Sequence, residues 1–289
     1  MHSRSKFGII LKFNHFLWPG MRLEIENGLE FVCDPFLNER GKIFFLHAFT
    51  GNITNKLSFR THFKDYSFYG INFPGHGNSV IHNQSELDFN FWIKLVQQFF
   101  NKYQLKNVVL FGHSIGGGLA IALTQVLTKE QIKGIILEAP LNPGIRATPP
   151  SIISALVPDT NEDFEAVQRA LIYNIEQRFG ANFKDFCAKQ KQKMIQKYAP
   201  LKVMLQPEQA EQRLQLIDAA FKRLSYPTLW IHGQEDGIVR YLPSKAYLES
   251  LHNPLIELVG LSNTAHTTFF EQPQQFLQLV EQFLNKLNK

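Results

Sequence analysis

Residues 108–122 read Val108-Val109-Leu110-Phe111-Gly112-His113-Ser114-Ile115-Gly116-Gly117-Gly118-Leu119-Ala120-Ile121-Ala122. A β-branched, apolar run ends in Gly-x-Ser-x-Gly, and small and aliphatic residues suited to a buried helix follow it directly. The pattern predicts a strand, a tight turn and a helix, with Ser114 in a strained conformation on the turn. Gly112 and Gly116 flank the serine because a Cβ at either place would collide with the neighbouring turn. The Ser114 hydroxyl is a candidate nucleophile; the alternative is a solvated serine in a glycine-rich loop.

Composition limits the class of protein. With 289 residues, 44% of them hydrophobic, the chain is long enough for one large α/β domain, alone or with an insertion. The formal net charge of +5 is spread over interspersed lysines and glutamates, which indicates a solvated surface and not a nucleic-acid partner. Cys33 and Cys187 lie far apart and share no ligand spacing with histidines, so we expect neither a disulfide framework nor a metal site.

The N-terminal segment is the candidate for targeting or membrane contact. Its apolar residues 7–11 follow basic residues, as in a signal peptide, but Lys12 interrupts the run and no small-x-small cleavage site follows. We therefore expect a cytoplasmic protein. No apolar run is long enough to cross a bilayer. Weak contact with a membrane surface stays open, through Phe7, Ile10, Phe16 and Trp18.

Short apolar runs alternate with helical patterns along most of the chain. A hairpin turning at Asn27-Gly28 is predicted from residues 21–25 and 29–32. Further strands are predicted at residues 42–46, 66–73, 133–138, 227–232 and 254–259, and amphipathic helices at 87–103 and 275–287. This alternation predicts an α/β fold with a mostly parallel sheet and helices on both faces, in which ligands bind beyond the C-terminal strand ends.

The pattern changes between residues 141 and 224. Proline and glycine break the chain, and three helical patterns follow without a strand, at residues 161–180, 183–198 and 207–224. We therefore predict a core of residues 1–140 plus 225–289 and an all-helical insertion of residues 141–224.

Several separate motifs resemble the α/β-hydrolase family, over roughly residues 25–288. Besides the Ser114 turn, His232-Gly233-Gln234-Glu235-Asp236 follows a predicted strand where the family carries its triad acid, which the resemblance assigns to Asp236. The family's base lies between the last strand and the last helix, where His266 is placed. The order Ser114, Asp236, His266 matches the family. Glu138 is the alternative acid, because some members use the strand before.

The resemblance also implies an oxyanion hole and a cap. In the family, a His-Gly-x-x-Gly loop supplies one backbone N–H, and by position this donor is Phe49, paired with the amide of Ile115. Ala48 replaces the usual glycine of that loop. The insertion of residues 141–224 occupies the place of the family's cap. A Pro-Gly-His-Gly-x-Ser turn at residues 74–79 is assigned structure, not chemistry.

The function implied by the resemblance is a serine hydrolase of carboxylic esters, working through an acyl-enzyme without metal or organic cofactor. The cap and many phenylalanines imply an apolar acyl pocket for short- to medium-chain esters or monoacylglycerol-like lipids. Relatives with the same triad hydrolyse thioesters, lysophospholipids, amides or peptides, and carbon-carbon bonds, and these alternatives stay open. A further alternative is a binding module on an inactive hydrolase scaffold, although a pure binder has no physical need for the trio.

Overall fold

A nine-stranded sheet forms the centre of the computed structural model, which describes residues 16–18 and 21–289. Its order is β1-β2-β3-β5-β4-β6-β7-β8-β9. The pairs from β5 to β9 are all parallel, and the three pairs at the β1 side are antiparallel. The strands are β1 (Phe16–Trp18), β2 (Met21–Glu26), β3 (Leu29–Asp34), β4 (Gly41–Leu46), β5 (Tyr66–Ile71), β6 (Val108–His113), β7 (Ile132–Glu138), β8 (Thr228–Gly233) and β9 (Ile256–Leu261).

The predicted hairpin at the start of this sheet is confirmed. Asn27 and Gly28 join β2 to β3 with φ angles of 49° and 76°. Two consecutive positive φ angles are what a tight hairpin turn with right-handed strand twist requires, and Asn-Gly meets that requirement at low cost. The short strand β1 pairs with β2 on its outer side and was not expected from the sequence.

The central strands are buried on both faces because helices cover the sheet on each side. In β4, Phe44 and Leu46 belong to one apolar cluster, and Ile43 and Phe45 belong to the cluster on the opposite face. Continuous apolar runs, without polar alternation, are typical of such parallel strands. The predicted mostly parallel α/β sheet is confirmed.

Eleven α-helices and five short 3₁₀ turns are described. The α-helices are α1 (Leu57–His62), α2 (Phe89–Lys102), α3 (Ile115–Leu123), α4 (Pro150–Ser154), α5 (Asn161–Leu171), α6 (Ile175–Phe179), α7 (Phe183–Tyr198), α8 (Pro207–Phe221), α9 (Tyr241–Leu251), α10 (Thr268–Glu271) and α11 (Pro273–Leu287). The 3₁₀ turns are Ile53–Lys56, Gln84–Glu86, Pro143–Ala147, Gly180–Asn182 and Ala199–Leu205.

The single helix predicted over residues 161–180 is wrong. Thr160 caps α5, through a capping box with Asp163. The helix ends at Leu171, where Ile172 is extended, and Asn174 has a left-handed φ of 48° before the short α6 begins. Apolar residues at helical spacing continue through this break, so periodicity alone does not reveal it.

Residues 141–224 contain helices α4 to α8 and no strand. Within this segment α8 packs on the core helix α3, where a Cβ at Gly118 would come within 2.5 Å of Ile217 Cδ1. Helices α5, α6 and α7 instead form a small apolar cluster of their own, which includes Phe164, Ile175, Phe183 and Cys187. The segment therefore contains one helix that packs on α3 and three helices that share an apolar cluster of their own.

In the described part of the chain, no helix is long and apolar enough to cross a membrane. The surface contact that the sequence leaves open falls at Phe7 and Ile10 outside the described residues, and the side chains of Phe16 and Trp18 are not described either.

Candidate active site

Ser114 lies on a strained turn between β6 and α3. Its backbone has φ 56° and ψ −120°, a conformation that L-residues rarely adopt. A Cβ on Gly112 would lie 2.3 Å from the carbonyl oxygen of Gly116, and one on Gly116 would lie 2.1 Å from the carbonyl oxygen of Leu46. The collision that the sequence predicts is therefore confirmed. The turn needs glycine on both sides of the serine.

His266 and Asp236, which are 30 positions apart, meet at the C-terminal edge of the sheet. The distance from His266 Nδ1 to Asp236 Oδ2 is 2.8 Å, and both side chains are buried. Because an ionised carboxylate only accepts, the imidazole carries its proton on Nδ1. The other ring nitrogen, Nε2, is left as a proton acceptor.

Asp236 is surrounded by donors. Its Oδ1 accepts the backbone N–H groups of Ile238 and Val239, at 2.8 and 2.9 Å, and its Oδ2 lies 3.1 Å from His232 Nε2. Burial alone would raise the pKa of the Asp236 carboxyl, but His266 and His232 hold that pKa well below its usual range. Asp236 is therefore an anion across the physiological pH range.

A further residue pair fixes the orientation of His232. Trp230 Nε1–H donates to His232 Nδ1 at 2.9 Å, so the proton of a neutral His232 ring is on Nε2, facing Asp236 and the carbonyl of Val239. His232 belongs to the His-Gly-x-x-Asp motif, but the motif alone assigns it no role. Its position four residues before the acid, at the end of the same strand, was the available signal.

Ser114 and His266 line one cavity of about 660 Å³. In the described structure no hydrogen bond joins the Ser114 hydroxyl to His266, whose recorded side-chain partner is Asp236. Serine-to-base hydrogen bonds are often long in unliganded enzymes and tighten when substrate binds. His113, the residue before Ser114, contacts the loop of His266. Its Nε2–H donates to the carbonyl oxygen of His266 at 3.0 Å, and the centroids of the two imidazole rings lie 5.1 Å apart.

The two backbone N–H groups expected to form an oxyanion hole have no hydrogen-bond acceptor in the described part of the chain. They belong to Phe49, in the loop after β4, and to Ile115, the first residue of α3. The helix start leaves its first N–H groups without intrahelical partners, and its dipole favours negative charge there. Phe49 and Ala48 line the same cavity as Ser114.

Two buried histidines hold the loop that carries Phe49. His76 Nε2 accepts the N–H of Thr50 at 3.2 Å, and His47 Nε2 accepts the N–H of Phe73 at 3.1 Å. Burial lowers the pKa of His47 to about 4 and that of His76 well below its usual value, so both rings stay neutral and can accept. His76, assigned only to a turn from the sequence, also supports this loop.

Glu138, the alternative acid, has other partners. Its Oε2 lies 2.6 Å from Lys56 Nζ, and its Oε1 accepts the N–H of Phe269 at 2.8 Å and the hydroxyl of Thr268 at 3.2 Å. Among the described residues Glu138 has no hydrogen bond to His266. Lys56 was not singled out from the sequence, because nothing local shows that a lysine after a loop is buried against a carboxylate on a distant strand.

No cluster of three or more histidine, cysteine, aspartate or glutamate side chains suited to a metal ion occurs among residues 16–18 and 21–289. Both cysteines are free, Cys187 within the apolar cluster of the insertion and Cys33 on β3.

The chain is similar in sequence to several known proteins. A family model described as serine aminopeptidase, S33, matches residues 38–273. A Mycoplasma genitalium protein named "Putative esterase/lipase 1" is 58% identical over 268 residues, which are 93% of this chain and 100% of that protein. A Mycoplasma pneumoniae protein named "Putative esterase/lipase 2" is 27% identical, over 87% of this chain and 91% of its own length.

The chain is also similar in fold to a protein of known structure. The crystal structure of a "putative lipase (lip1)" from Acinetobacter baumannii superposes with a TM-score of 0.76, at 17% identity, over 93% of this chain and 92% of the other. At that identity the likeness concerns the fold, and it confirms the expected α/β-hydrolase architecture.

Proposed function

The chain belongs to the S33 serine aminopeptidase family of α/β-hydrolases, and from this premise we propose that it hydrolyses carboxylic esters with the Ser114 hydroxyl as nucleophile. The observation that carries the proposal is the pairing of His266 with Asp236 at 2.8 Å on the rim of the cavity that Ser114 lines. The relatives named esterase/lipase support the same reaction class.

The proposed reaction proceeds in two stages. His266 Nε2 takes the proton of Ser114 as the oxygen attacks the acyl carbon, and Asp236 stabilises the imidazolium that forms. The N–H groups of Phe49 and Ile115 bind the oxyanion of the tetrahedral intermediate, and one such donor commonly contributes about 10² to 10³ in rate. His266 then protonates the leaving alcohol. Water, activated by the same imidazole, releases the acid.

The walls of the cavity favour an uncharged acyl ester. Much of its apolar lining comes from residues of the helical insertion, namely Ala155, Leu156, Pro158, Phe164, Val167, Leu171, Ile172 and Met194. Phe269 and Phe270 add aromatic surface from the base loop side. An apolar pocket gains free energy by taking up the acyl chain of an ester. We propose short- to medium-chain acyl esters or monoacylglycerol-like lipids, with residues 141–224 as a cap.

The family description names a second candidate, an aminopeptidase. Such a substrate brings a charged α-amino group, which needs a carboxylate partner when it leaves water. Among the described residues that line the cavity there is no aspartate or glutamate, and the one ammonium group there, on Lys56, is already paired with Glu138. This lining favours an ester over a peptide with a free amino terminus.

The test is hydrolysis of p-nitrophenyl esters from acetate to palmitate by the wild type and by Ser114→Ala. We expect turnover that is highest at short to medium chain length and falls by about 10⁴-fold or more in Ser114→Ala, because the variant has no nucleophile. Fluorophosphonate should label the wild type and not the variant. Amino-acid p-nitroanilides should be poor substrates. If the wild type turns over no ester and takes no label, the protein is a binder and the proposal fails.

A further inference from the structure

The C-terminal end of α5 is hydrogen-bonded to both loops that carry the proposed acid and base. The carbonyl of Ala170 accepts the N–H of Gly237, at 3.0 Å, and the carbonyl of Leu171 accepts the N–H of His266, also at 3.0 Å. The last carbonyls of a helix have no intrahelical partners. Here the N–H groups of the two loops are their hydrogen-bond donors. The helical insertion is therefore in direct backbone contact with the residue that carries the imidazole.

One carboxylate, on Glu271, joins the same two segments a second time. Its Oε2 accepts the N–H of Tyr173, just past the end of α5, at 2.7 Å. Its Oε1 accepts the N–H of Ala265 at 3.0 Å and the hydroxyl of Thr267 at 3.1 Å. Ala265 and Thr267 are the two neighbours of His266. Glu271 thus holds the base loop from both sides of the imidazole.

The surroundings of Glu271 indicate a fixed carboxylate. Its side chain has no exposed surface, and Arg178 Nη2 of α6 lies 3.9 Å from Oε2. Burial raises the pKa of Glu271, and the donors from Tyr173, Ala265 and Thr267 act in the opposite direction. A carboxylate is costly to bury unless donors satisfy its oxygens, and these donors come from two segments that must be held together for the oxygens to be satisfied.

We propose that Glu271 is a positioning residue for the hydrolytic reaction: by bridging Tyr173 of the insertion to Ala265 and Thr267, it fixes the His266 imidazole against α5. The proposal rests on the proposed function, since it assigns the base to His266. Misplacement of a catalytic group by about 1 Å can cost 10²-fold in rate, so a side chain that never touches substrate can affect kcat strongly.

The decisive variant is Glu271→Gln, which keeps the shape and replaces one acceptor oxygen by an NH₂ group. Whichever way the amide turns, the N–H of Tyr173 or that of Ala265 then faces another donor. We expect kcat for a p-nitrophenyl ester to fall about tenfold to a hundredfold while KM changes by less than about threefold. The control is Glu281→Gln, a carboxylate exposed on α11. A kcat for Glu271→Gln equal to that of the control, or an effect on KM alone, would overturn the proposal.

Hydrogen exchange tests the bridge without any substrate. In Glu271→Gln the peptides containing Tyr173 and Ala265 should exchange at least several-fold faster than in the control, with the β6 peptide unchanged. Unchanged exchange in both peptides would refute the bridge. Since this measurement does not depend on catalysis, a wild type that hydrolyses no ester would defeat the proposed function separately.

A second variant covers the case in which Glu271→Gln does not fold. Thr267→Val keeps the carboxylate and both backbone donors and removes only the hydroxyl that reaches Glu271 and the carbonyl of Leu171. We expect a smaller loss, about threefold to tenfold in kcat, with the unfolding temperature within a few degrees of the wild type. A kcat identical to the wild type would count against the bridge.

Discussion

The residues around Asp236 stabilise its buried carboxylate as an anion. Its oxygens lie against the N–H groups of Ile238 and Val239 and against the rings of His232 and His266. Charge-assisted hydrogen bonds of this kind offset the cost of taking a carboxylate out of water. Glu138 meets the same need differently, with Lys56 as its partner. Two buried carboxylates at neighbouring strand ends are thus given different partners.

Substitution of each carboxylate by its amide separates the two roles. Asp236→Asn puts an NH₂ group where His266 Nδ1–H needs an acceptor, so the wrong imidazole tautomer is favoured. In a serine triad this change costs about 10⁴ in kcat. We expect that loss in ester hydrolysis, with little loss of fold.

Glu138→Gln should act on stability instead. It leaves the buried Lys56 ammonium without its anion, which typically costs about 3–5 kcal/mol in the free energy of unfolding. Measurements of kcat and of denaturant unfolding on both Asp236→Asn and Glu138→Gln test these two expectations. A larger kcat loss in Glu138→Gln than in Asp236→Asn would move the acid to Glu138.

At the scale of elements, the turn at Ser114 depends on how closely α3 approaches the ends of β4 and β7. Gly116 lies against the carbonyls of Leu46 and His47, and Gly117 lies against Pro140. Backbone carbonyls that belong to strands of the sheet cannot move aside. The helix can therefore start directly below the serine, with its N–H groups towards the cavity, only if its first turn has no side chains on that face.

Alanine substitutions within this one helix test the point. Gly116→Ala would put a Cβ 2.1 Å from the Leu46 carbonyl oxygen, and we expect a loss of about 3 kcal/mol or more in unfolding free energy. Gly118→Ala is the matched control, because its Cβ would come no closer to a backbone atom than 3.1 Å, at the Leu141 carbonyl oxygen. Its closest contact, at 2.5 Å, is the end of the buried Ile217 side chain. Its cost should stay within about 1 kcal/mol, since alanine favours the helix. Equal costs in chemical denaturation would show that the close approach is not what requires glycine.

The whole molecule should lose stability in mild acid because buried histidines resist protonation. Burial lowers the pKa of His47 and of His113 to about 4, and that of His76 lies well below 6.5. In the unfolded chain these rings regain an ordinary pKa near 6.5. Their contribution is therefore present above pH 6.5 and is lost as the pH falls towards 4, because only the unfolded state takes up the protons.

The expected slope can be measured. Each of the three rings contributes up to about 1.4 kcal/mol per pH unit to the fall in unfolding free energy within that window. His47→Gln should reduce the slope by that amount, judged against His62→Gln, which removes an exposed histidine. Denaturant unfolding between pH 7 and pH 4.5 gives the slopes. An unchanged slope in His47→Gln would show that the pKa of this ring is the same in the folded and the unfolded chain.

Local patterns in the sequence alone determined the parallel core of the sheet, the hairpin at Asn27-Gly28 and the tight turn at Ser114. Alternation and apolar runs are set by the two-residue and 3.6-residue periods of strands and helices, and the turn glycines report backbone geometry directly. The assignment of Asp236 and His266 came instead from the resemblance to the α/β-hydrolase motifs. That these residues should lie near Ser114 follows from the sheet, since parallel strands end at one edge of it.

Only the tertiary structure decided which side chains meet. The contacts of Lys56 with Glu138, of His76 with Thr50 and of Glu271 with Tyr173 join residues far apart in the chain. Tyr173 lies just past the break of the predicted helix at Ile172. The free energy of a buried polar group depends on the donors and acceptors that the fold brings to it. No local pattern encodes that neighbourhood, so the sequence indicated the candidate site residues and the fold supplied the partners that hold them.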